Sequence, residues 1–544
     1  MDERAPRTGY RVRALARRER SLVLVAIVAF ALAPFVAGAL ALAQGWQATG
    51  DVAIIGLRAT DAWTADAPLV GQPTTAEEFT GTRSNHPGPI EFWVLGLTIR
   101  ALGDQTGIVL GAAAINAAAL AGVAWVAFRR GGLLLLGLTG AATAALIASL
   151  GPASLYDAFN SELGTYPMLL ALLATWSIAV GDLRLAPVLA AAVTVLAQVH
   201  VAGAAFALPL VLVAAGMVGW VARRHPATIR RDARHLLGAG AILAVGWLPP
   251  LLQELSAGPS NVAALWTAAT EPRPRIGLAF LLERLATAVG PIPIFVRDTG
   301  RFGFLADASA AGVVAAALVV GGLASLGLAA RRPGRRSDPA RLVALVLVAI
   351  GTSVLAGAGQ PPLAAFRADG TRWLWVASLA VWLAAAWVGW HLLPGAVRDR
   401  ARQPLALGAL AVAAGVLVAS VATTDLADQR DGALMAGTEA AADATVAALA
   451  PGTYQVRYEG DRALVTVGPG IAYRMEAAGR RIAIDDSVLT RGYGPERTRE
   501  QPTDGVVRIT SDATATAGEG EELIATQPLG PDGAAGTIKV FVSR

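Results

Sequence analysis

Long apolar runs recur through three quarters of this chain, at 21–44, 107–128, 132–151, 165–181, 185–199, 202–222, 236–252, 309–330, 341–358, 373–393 and 405–423. Several reach about 18 residues, enough to cross ~30 Å of hydrocarbon as a helix. That repetition restricts the fold more than any single motif does. The expectation is a polytopic α-helical membrane protein with about eleven transmembrane helices.

Arginine placement sets the expected topology. Residues 1–20 hold seven arginines and read as a cytoplasmic basic tail, with no small-residue cleavage site closing the run that follows. The segment 89–102 is ambiguous. At about 14 residues it would rise only ~21 Å as a helix, short of a crossing. If it lies along the outer interface, 23 arginines face inward against ten in the outer loops of the membrane part. If it spans, 16 of those 23 turn outward. The positive-inside rule therefore favours a surface helix, a cytoplasmic amino terminus and an extracytoplasmic carboxy terminus in the cell membrane.

With 54% hydrophobic residues and no cysteine, disulfides, thiolate metal sites and thiol nucleophiles are excluded. The net charge of +5 does not point to nucleic acid, because the arginines cluster where topology alone explains them. The chain divides into the tail 1–20, a transmembrane region 21–424 with a long first outer loop 45–106, and a soluble region 425–544. That last region opens with an alanine-rich helix over 432–449. Strand-like TYQVRYEG and ALVTVG, a helix near 471–478, and strand-like RIAIDD, GVVRITS and TIKVFVS follow. The alternation reads as a small extracytoplasmic α/β domain. It holds no nucleophile elbow, phosphate-binding loop or dinucleotide fingerprint; GPG at 468–470 reads as a turn before a helix.

Candidate chemistry gathers in the outer loops. Asp51 comes just after the first span, and Asp51, Arg58 and Asp61 are compatible with one helix face. As bland readings, Asp51 caps a helix starting at residue 52 and Arg58–Asp61 is a weak surface pair. His86 stands in a His-Pro-Gly-Pro turn, and Glu91 follows at the start of the surface helix, where an acid also favours helix initiation. GPASLYDAFNSELGTYP at 151–167 carries Asp157 and Asn160; Gln198 and His200 interrupt an apolar stretch, where polar groups usually face a cavity. Arg372 in TRWLW begins an outer span end, with Arg273, Arg275 and Arg284 as further outer cations.

The wording GDVAIIGLRATDAW…PLVG…HPGPIEFWVL resembles the GT-C-type glycosyltransferases, integral membrane enzymes that take sugars from polyprenyl-phosphate carriers. It is similar to an actinobacterial branch related to arabinofuranosyl- and mannosyltransferases. Asp157, Phe159 and Asn160 match the Asp, aromatic and Asn of that branch's Asp-Pro-Trp-Asn-Pro element, with Ala158 and Ser161 where prolines are expected. Gln198 and His200 match its Gln-x-His.

The resemblance implies a GT-C-like membrane domain that moves a sugar from a polyprenyl-phosphate donor to an extracytoplasmic glycan, glycolipid or protein acceptor. Asp51 would be the base that deprotonates the acceptor hydroxyl. Asp61 and Arg58 would orient it or bind acceptor. Arg372 would grip donor phosphate through its fork. His86, Glu91, Asp157, Asn160, Gln198 and His200 would line the substrate cavity. No cofactor is implied; a divalent ion held by Asp51 and His86 would need more ligands than those two. A glycolipid transporter or flippase, or a non-catalytic cell-envelope assembly protein, is the alternative. Transporters favour broken helices at the midplane, whereas here the polar residues lie in outer loops.

Overall fold

Hydrocarbon offers no partner to a backbone N–H or C=O, so each apolar run must close its hydrogen bonds within itself. The computed structural model of the chain describes residues 17–543 except 257, 272, 300–307, 332–337, 362–368, 427–429, 488, 531, 532 and 534. Most of the basic tail 1–20, the arginine-rich turn after residue 331 and much of the outer loop 359–372 lie outside the described residues.

The first helix is α1 (Arg17–Ala43). The first outer loop then forms α2 (Gly50–Asp61), α3 (Ala76–Thr80) and α4 (Ile90–Leu102), ahead of α5 (Asp104–Leu150). After a 3₁₀ turn come α6 (Asn160–Leu163), α7 (Thr165–Ala179), α8 (Ala186–Val199), α9 (Val201–Arg224) and α10 (Pro226–Leu255). The remaining helices of this region are α11 (Asn261–Thr270), α12 (Leu278–Val289), α13 (Ala310–Ala330), α14 (Asp338–Ala358), α15 (Trp373–Leu392) and α16 (Gly395–Ala422).

Among the described residues eight helices are long and apolar enough to cross a membrane: α1, α5, α9, α10, α13, α14, α15 and α16. The 47 residues of α5 do not form one rod. Gly132 has φ 66° and ψ −156°, a conformation open to glycine, and the chain doubles back there. Asn116 on the first arm accordingly donates to the carbonyls of Ser154 and Leu155, just beyond the second. The expected runs 165–181 and 185–199 appear as α7 and α8, at 15 and 14 residues shorter than a full crossing. The run expected at 236–252 is extended: α10 begins at Pro226, a residue suited to a first helical turn, and carries the arginines before residue 236 as helix.

Helix α4 has 13 residues and lies on α2, α5 and α8. It buries Phe92, Leu95 and Ile99 and exposes Leu97 and Leu102. The arginine-rich turns meet at the far end of the bundle. Arg129 forks Asp182 at 2.6 and 2.9 Å, Arg184 and Arg231 both reach Asp232, and Arg341 donates to the Ala179 carbonyl.

The carboxy-terminal domain comprises α17 (Arg430–Ala448), β1 (Thr453–Glu459), α18 (Gly468–Ala477), β2 (Arg481–Ile484), α19 (Pro495–Thr498), β3 (Gly505–Thr510), β4 (Glu521–Pro528) and β5 (Thr537–Ser543). The sheet runs β2-β1-β3-β5-β4, with β1 parallel to β2 and β3, and β5 antiparallel to β3 and β4. Two expectations are corrected. ALVTVG is not a strand but a π-helical turn running into α18: Ala463 and Val467, four apart, are buried while Val465 is exposed, a helical burial period. Strand β4 was not expected at all, because it is a polar edge strand with a register shift between Leu523 and Ala525 and little apolar alternation.

Candidate functional site

Asp51, Arg58 and Asp61 do share a face of α2, and that face looks at the segment 492–497 of the carboxy-terminal domain. Thr49, not Asp51, occupies the N-cap, and Asp51 stands exposed in the first turn. Its charge acts on Tyr493, whose phenol is held well above its ordinary pKa first by burial, then by Tyr458 and Asp51. The Tyr493 and Tyr458 hydroxyls are 2.8 Å apart.

Further along the same face the Arg58–Asp61 pair is not a weak surface contact. Arg58 Nη1 donates to Asp61 Oδ2 at 2.7 Å and to Glu496 Oε1 at 2.5 Å. Arg497 forks Asp61 at 2.8 and 2.9 Å, forks Glu476 at 2.8 and 2.6 Å, and also meets Glu496. Both Asp61 oxygens are thus engaged by guanidiniums, an arrangement that suits anchoring more than proton transfer. Burial pushes Glu496 up to about 7, Asp61 beside it adding to the rise. Arg491 with Glu77 and Arg83 with Asp486 add two more contacts between the first outer loop and this domain. Glu476, Glu496 and Arg497 carried no sequence signal: Glu496 and Arg497 stand more than 400 positions from Arg58 and Asp61, and Glu476 joins them through Arg497.

A second polar group lies at the end of the bundle opposite the arginine turns. His86 is buried, and its Nδ1 accepts the Val201 N–H at 3.2 Å. His200 is the N-cap of α9, with Nδ1 accepting the Ala202 N–H at 3.2 Å. Their rings stack with centroids 4.6 Å apart, so two imidazoles cap one helix start. Burial, and secondarily His200, hold His86 well below its ordinary pKa. In the neutral tautomer these bonds require, each ring carries its hydrogen on Nε2 and offers a donor rather than a metal-binding lone pair. Among the described residues no group of three or more His, Cys, Asp or Glu side chains is placed to hold a metal ion.

Gln198 is fully buried; it accepts the Ile90 N–H at 3.2 Å and donates to the Gly246 carbonyl at 2.7 Å, tying α4 to α10. A Cβ at Gly88 would lie 2.3 Å from Gln198 Oε1, so a larger residue there would displace the Gln198 side chain from its two bonds. Glu91 is buried with no hydrogen-bond partner for Oε1 among the described residues. Burial and then the Asp157 carboxyl push it well above the usual carboxylate range. Asp157, itself buried, accepts the Phe159 N–H at 2.6 Å and shapes the turn into α6, where Asn160 is buried at the first position.

Arg372 is 3% exposed, ion-paired with Glu162, and its guanidinium lies 4.9 Å over the Trp375 ring. Its charge is thus met inside the protein. Arg273 is half-buried beside Arg275, and among the described residues its Nε and Nη1 have no hydrogen-bond partner; the same two atoms of Arg372 are left over from its pair with Glu162. Arg284 stacks on Phe280. Ser161, Gly164, His200, Ala202, Arg372 and Trp373, with the apolar Met168, Leu196 and Val199, line a small cleft of about 20 Å³, room for about one water, where α6, α8, α9 and α15 converge. Sequence reasoning named His200 and Arg372 but missed Ser161 and Trp373, which look like an interrupted loop and an interface tryptophan.

No protein-family model matches the chain, and no curated protein matches it.

Proposed function

We propose that the chain is a membrane glycosyltransferase that moves a sugar from a polyprenyl-phosphate carrier to an extracytoplasmic glycan, glycolipid or protein acceptor. One observation carries this reading. Glu91, Asp157, Glu162 and Arg372 are all buried at the end of the bundle opposite the arginine turns, Glu91 beside Asp157 and Glu162 paired with Arg372. Ionisable groups are costly at membrane depth and cluster where chemistry or recognition needs them. The motifs of the first outer loop supply the choice of chemistry.

In this reading Asp51, exposed at the outer end of α2, takes the acceptor proton. Arg273, with unmade guanidinium bonds next to Arg275, meets the donor phosphate. The carboxy-terminal domain, clasped to α2, borders the acceptor path. The proposed crossing count is eleven: the eight long helices, the second arm of α5, and α7 and α8. The amino terminus is then cytoplasmic and the sheet domain outside. Cysteines introduced at positions 75 and 500 should be labelled from outside and one at 230 should not; outside labelling at 230 would overturn this orientation.

The decisive test incubates the purified full-length protein with a panel of polyprenyl-phosphate sugars and measures released carrier. Release with one donor supports the enzyme. No release with any donor, in the presence of an envelope extract as acceptor, sinks it.

A further inference from the structure

Little inside the protein holds α11. Of its ten residues only Asn261 and Ala268 are buried. Its side-chain caps are made at the start: Ser260 Oγ accepts the Ala263 N–H at 3.0 Å, and Glu254 Oε1 accepts the Val262 N–H at 2.9 Å. Helices of this length are marginal in water and take most of their stability from packing an apolar face. The apolar face of α11 turns away from the protein. Val262, Trp266 and Ala269, spaced i, i+4 and i+7, are all exposed, Trp266 by 71%.

The chain on either side of α11 says what covers that face. Upstream, α10 is long and apolar enough to cross a membrane, and its last turns expose Leu251, Leu252 and Leu255, the last by 83%. The apolar surface of a spanning helix thus passes, within five residues of chain, into that of α11. Downstream come Arg273 and Arg275, with Glu271 as the one carboxylate of the segment 271–277, so the segment is cationic. Arg275 is exposed, and Arg273 Nε and Nη1 have no hydrogen-bond partner among the described residues. An apolar stripe, then an indole, then guanidiniums is the order of groups across a bilayer boundary. Tryptophan settles at headgroup level, and arginine forks lipid phosphate.

We propose that α11 lies in the outer boundary layer of the bilayer, with Val262 and Trp266 at the upper acyl chains and Arg273 and Arg275 on the phosphates of anionic lipids. The occupant is lipid because the stripe carries no charge and continues that of a spanning helix. The consequence reaches the first outer loop. Asn261 Oδ1 accepts the Asn85 N–H at 2.8 Å, and its Nδ2 donates to the Asn85 carbonyl at 3.2 Å. Beyond the arginines, the Ile276 and Gly277 N–H groups donate to the carbonyls of Gln360 and Ala358 at 2.9 and 3.1 Å. The segment is fastened at both ends, so the depth at which lipid holds α11 sets the depth of the turn at Asn85 and His86. The inference needs only a bilayer and stands apart from the glycosyltransferase reading. Where that reading holds, the donor is itself a lipid phosphate and competes for Arg273 from within the membrane plane.

The chain has no cysteine, so a single thiol can be placed and labelled without background. Val262→Cys and Trp266→Cys, each carrying a nitrobenzoxadiazole dye, are compared in nanodiscs of phosphatidylglycerol and phosphatidylcholine with Thr75→Cys, an exposed position of the first outer loop. Brominated acyl chains should quench the dyes at 262 and 266 far more than the dye at 75, and aqueous iodide should do the reverse. Iodide quenching at 262 and 266 equal to that at 75 would overturn the seat. So would dyes shielded from both quenchers, which would mean that a protein surface covers the stripe. A second arm uses the unlabelled full-length protein. Native mass spectrometry from the same discs should show phosphatidylglycerol retained over phosphatidylcholine, and Arg273→Gln and Arg275→Gln should each lower that preference about fivefold. An unchanged preference would overturn the headgroup contact, and its loss on adding inorganic phosphate would assign the arginines to a free ion instead.

Discussion

The clasp between α2 and the carboxy-terminal domain and the cleft at the start of α15 both bury ionisable side chains, and they meet the cost in opposite ways. In the clasp Arg58, Asp61, Glu476, Glu496 and Arg497 satisfy one another, and none of the five has a buried polar atom without a partner. At the cleft Ser161 keeps one such atom and Arg372 two, and the adjoining Glu162 and Thr165 keep one each. A complete network rigidifies two elements against each other, whereas an incomplete one is a place kept for a partner from outside. The two regions therefore differ in kind: one is closed on itself, and the other is not.

Asp51 tests that division most sharply, because it shares a helix face with the clasp yet stands exposed at its edge. Asp51→Asn keeps size and loses only the ability to accept a proton. If Asp51 is the base, carrier release falls by roughly 10²–10⁴ in rate with folding intact. Since Thr49 holds the N-cap, little stability should change. Near-normal turnover would assign Asp51 to the anchor.

Arg497→Met comes next. It leaves Glu476 without its guanidinium and Asp61 with Arg58 alone, and an uncompensated buried charge costs ~3–5 kcal/mol. Hydrogen exchange across β1 and α18 should rise relative to the transmembrane helices. Unchanged protection would mean that the clasp is not what holds the domain. Arg273→Ala has a smaller expected effect. Losing a charge-assisted bond of ~1.5–3 kcal/mol raises donor KM by about one to two orders of magnitude. Arg372→Lys should leave donor KM nearly unchanged and lower thermal stability, since Glu162 loses its fork. An equal rise in donor KM for Arg372→Lys would return the phosphate contact to that residue.

The sequence carried these two regions unequally. Helix bounds were legible because apolar length and arginine placement are local quantities: 202–222 became Val201–Arg224, and 309–330 became Ala310–Ala330. The shared face of Asp51, Arg58 and Asp61 was legible for the same reason, as helical periodicity. What that face touches was not, because nothing in PERT at residues 495–498 announces a partner, and only tertiary contact brings Arg497 onto Asp61. ALVTVG misled through its β-branched alternation, which the burial of Ala463 and Val467 overrode. Near the cleft, Gln198 and His86 drew notice as polar residues in apolar surroundings, and the structure places both on backbone groups at helix starts. Ser161 drew notice only as a position where the resemblance expects proline, and its buried hydroxyl has no partner among the described residues.

The smallest effect distinguishes the clasp from the cleft by pH alone. In the clasp three carboxylates, Asp61, Glu476 and Glu496, face two guanidiniums, Arg58 and Arg497, with the Tyr493 carbonyl also on Arg497. One carboxylate is therefore in excess, and Glu496 is the one pushed up, from 4.5 to about 7, by burial and then by Asp61. A carboxyl with a raised pKa in the docked state binds its proton more tightly there than when released. Its contribution to docking is then fully present below 4.5 and is lost as pH rises through about 7. Protection factors of the sheet-domain amides, which remove the intrinsic base catalysis of exchange, should accordingly be higher at pH 5.5 than at pH 8, and Glu496→Gln, which cannot ionise, should flatten the difference. A domain held more tightly at pH 8 would show that the ionised forms of Asp61 and Glu476 dominate, and that the network has no proton to lose.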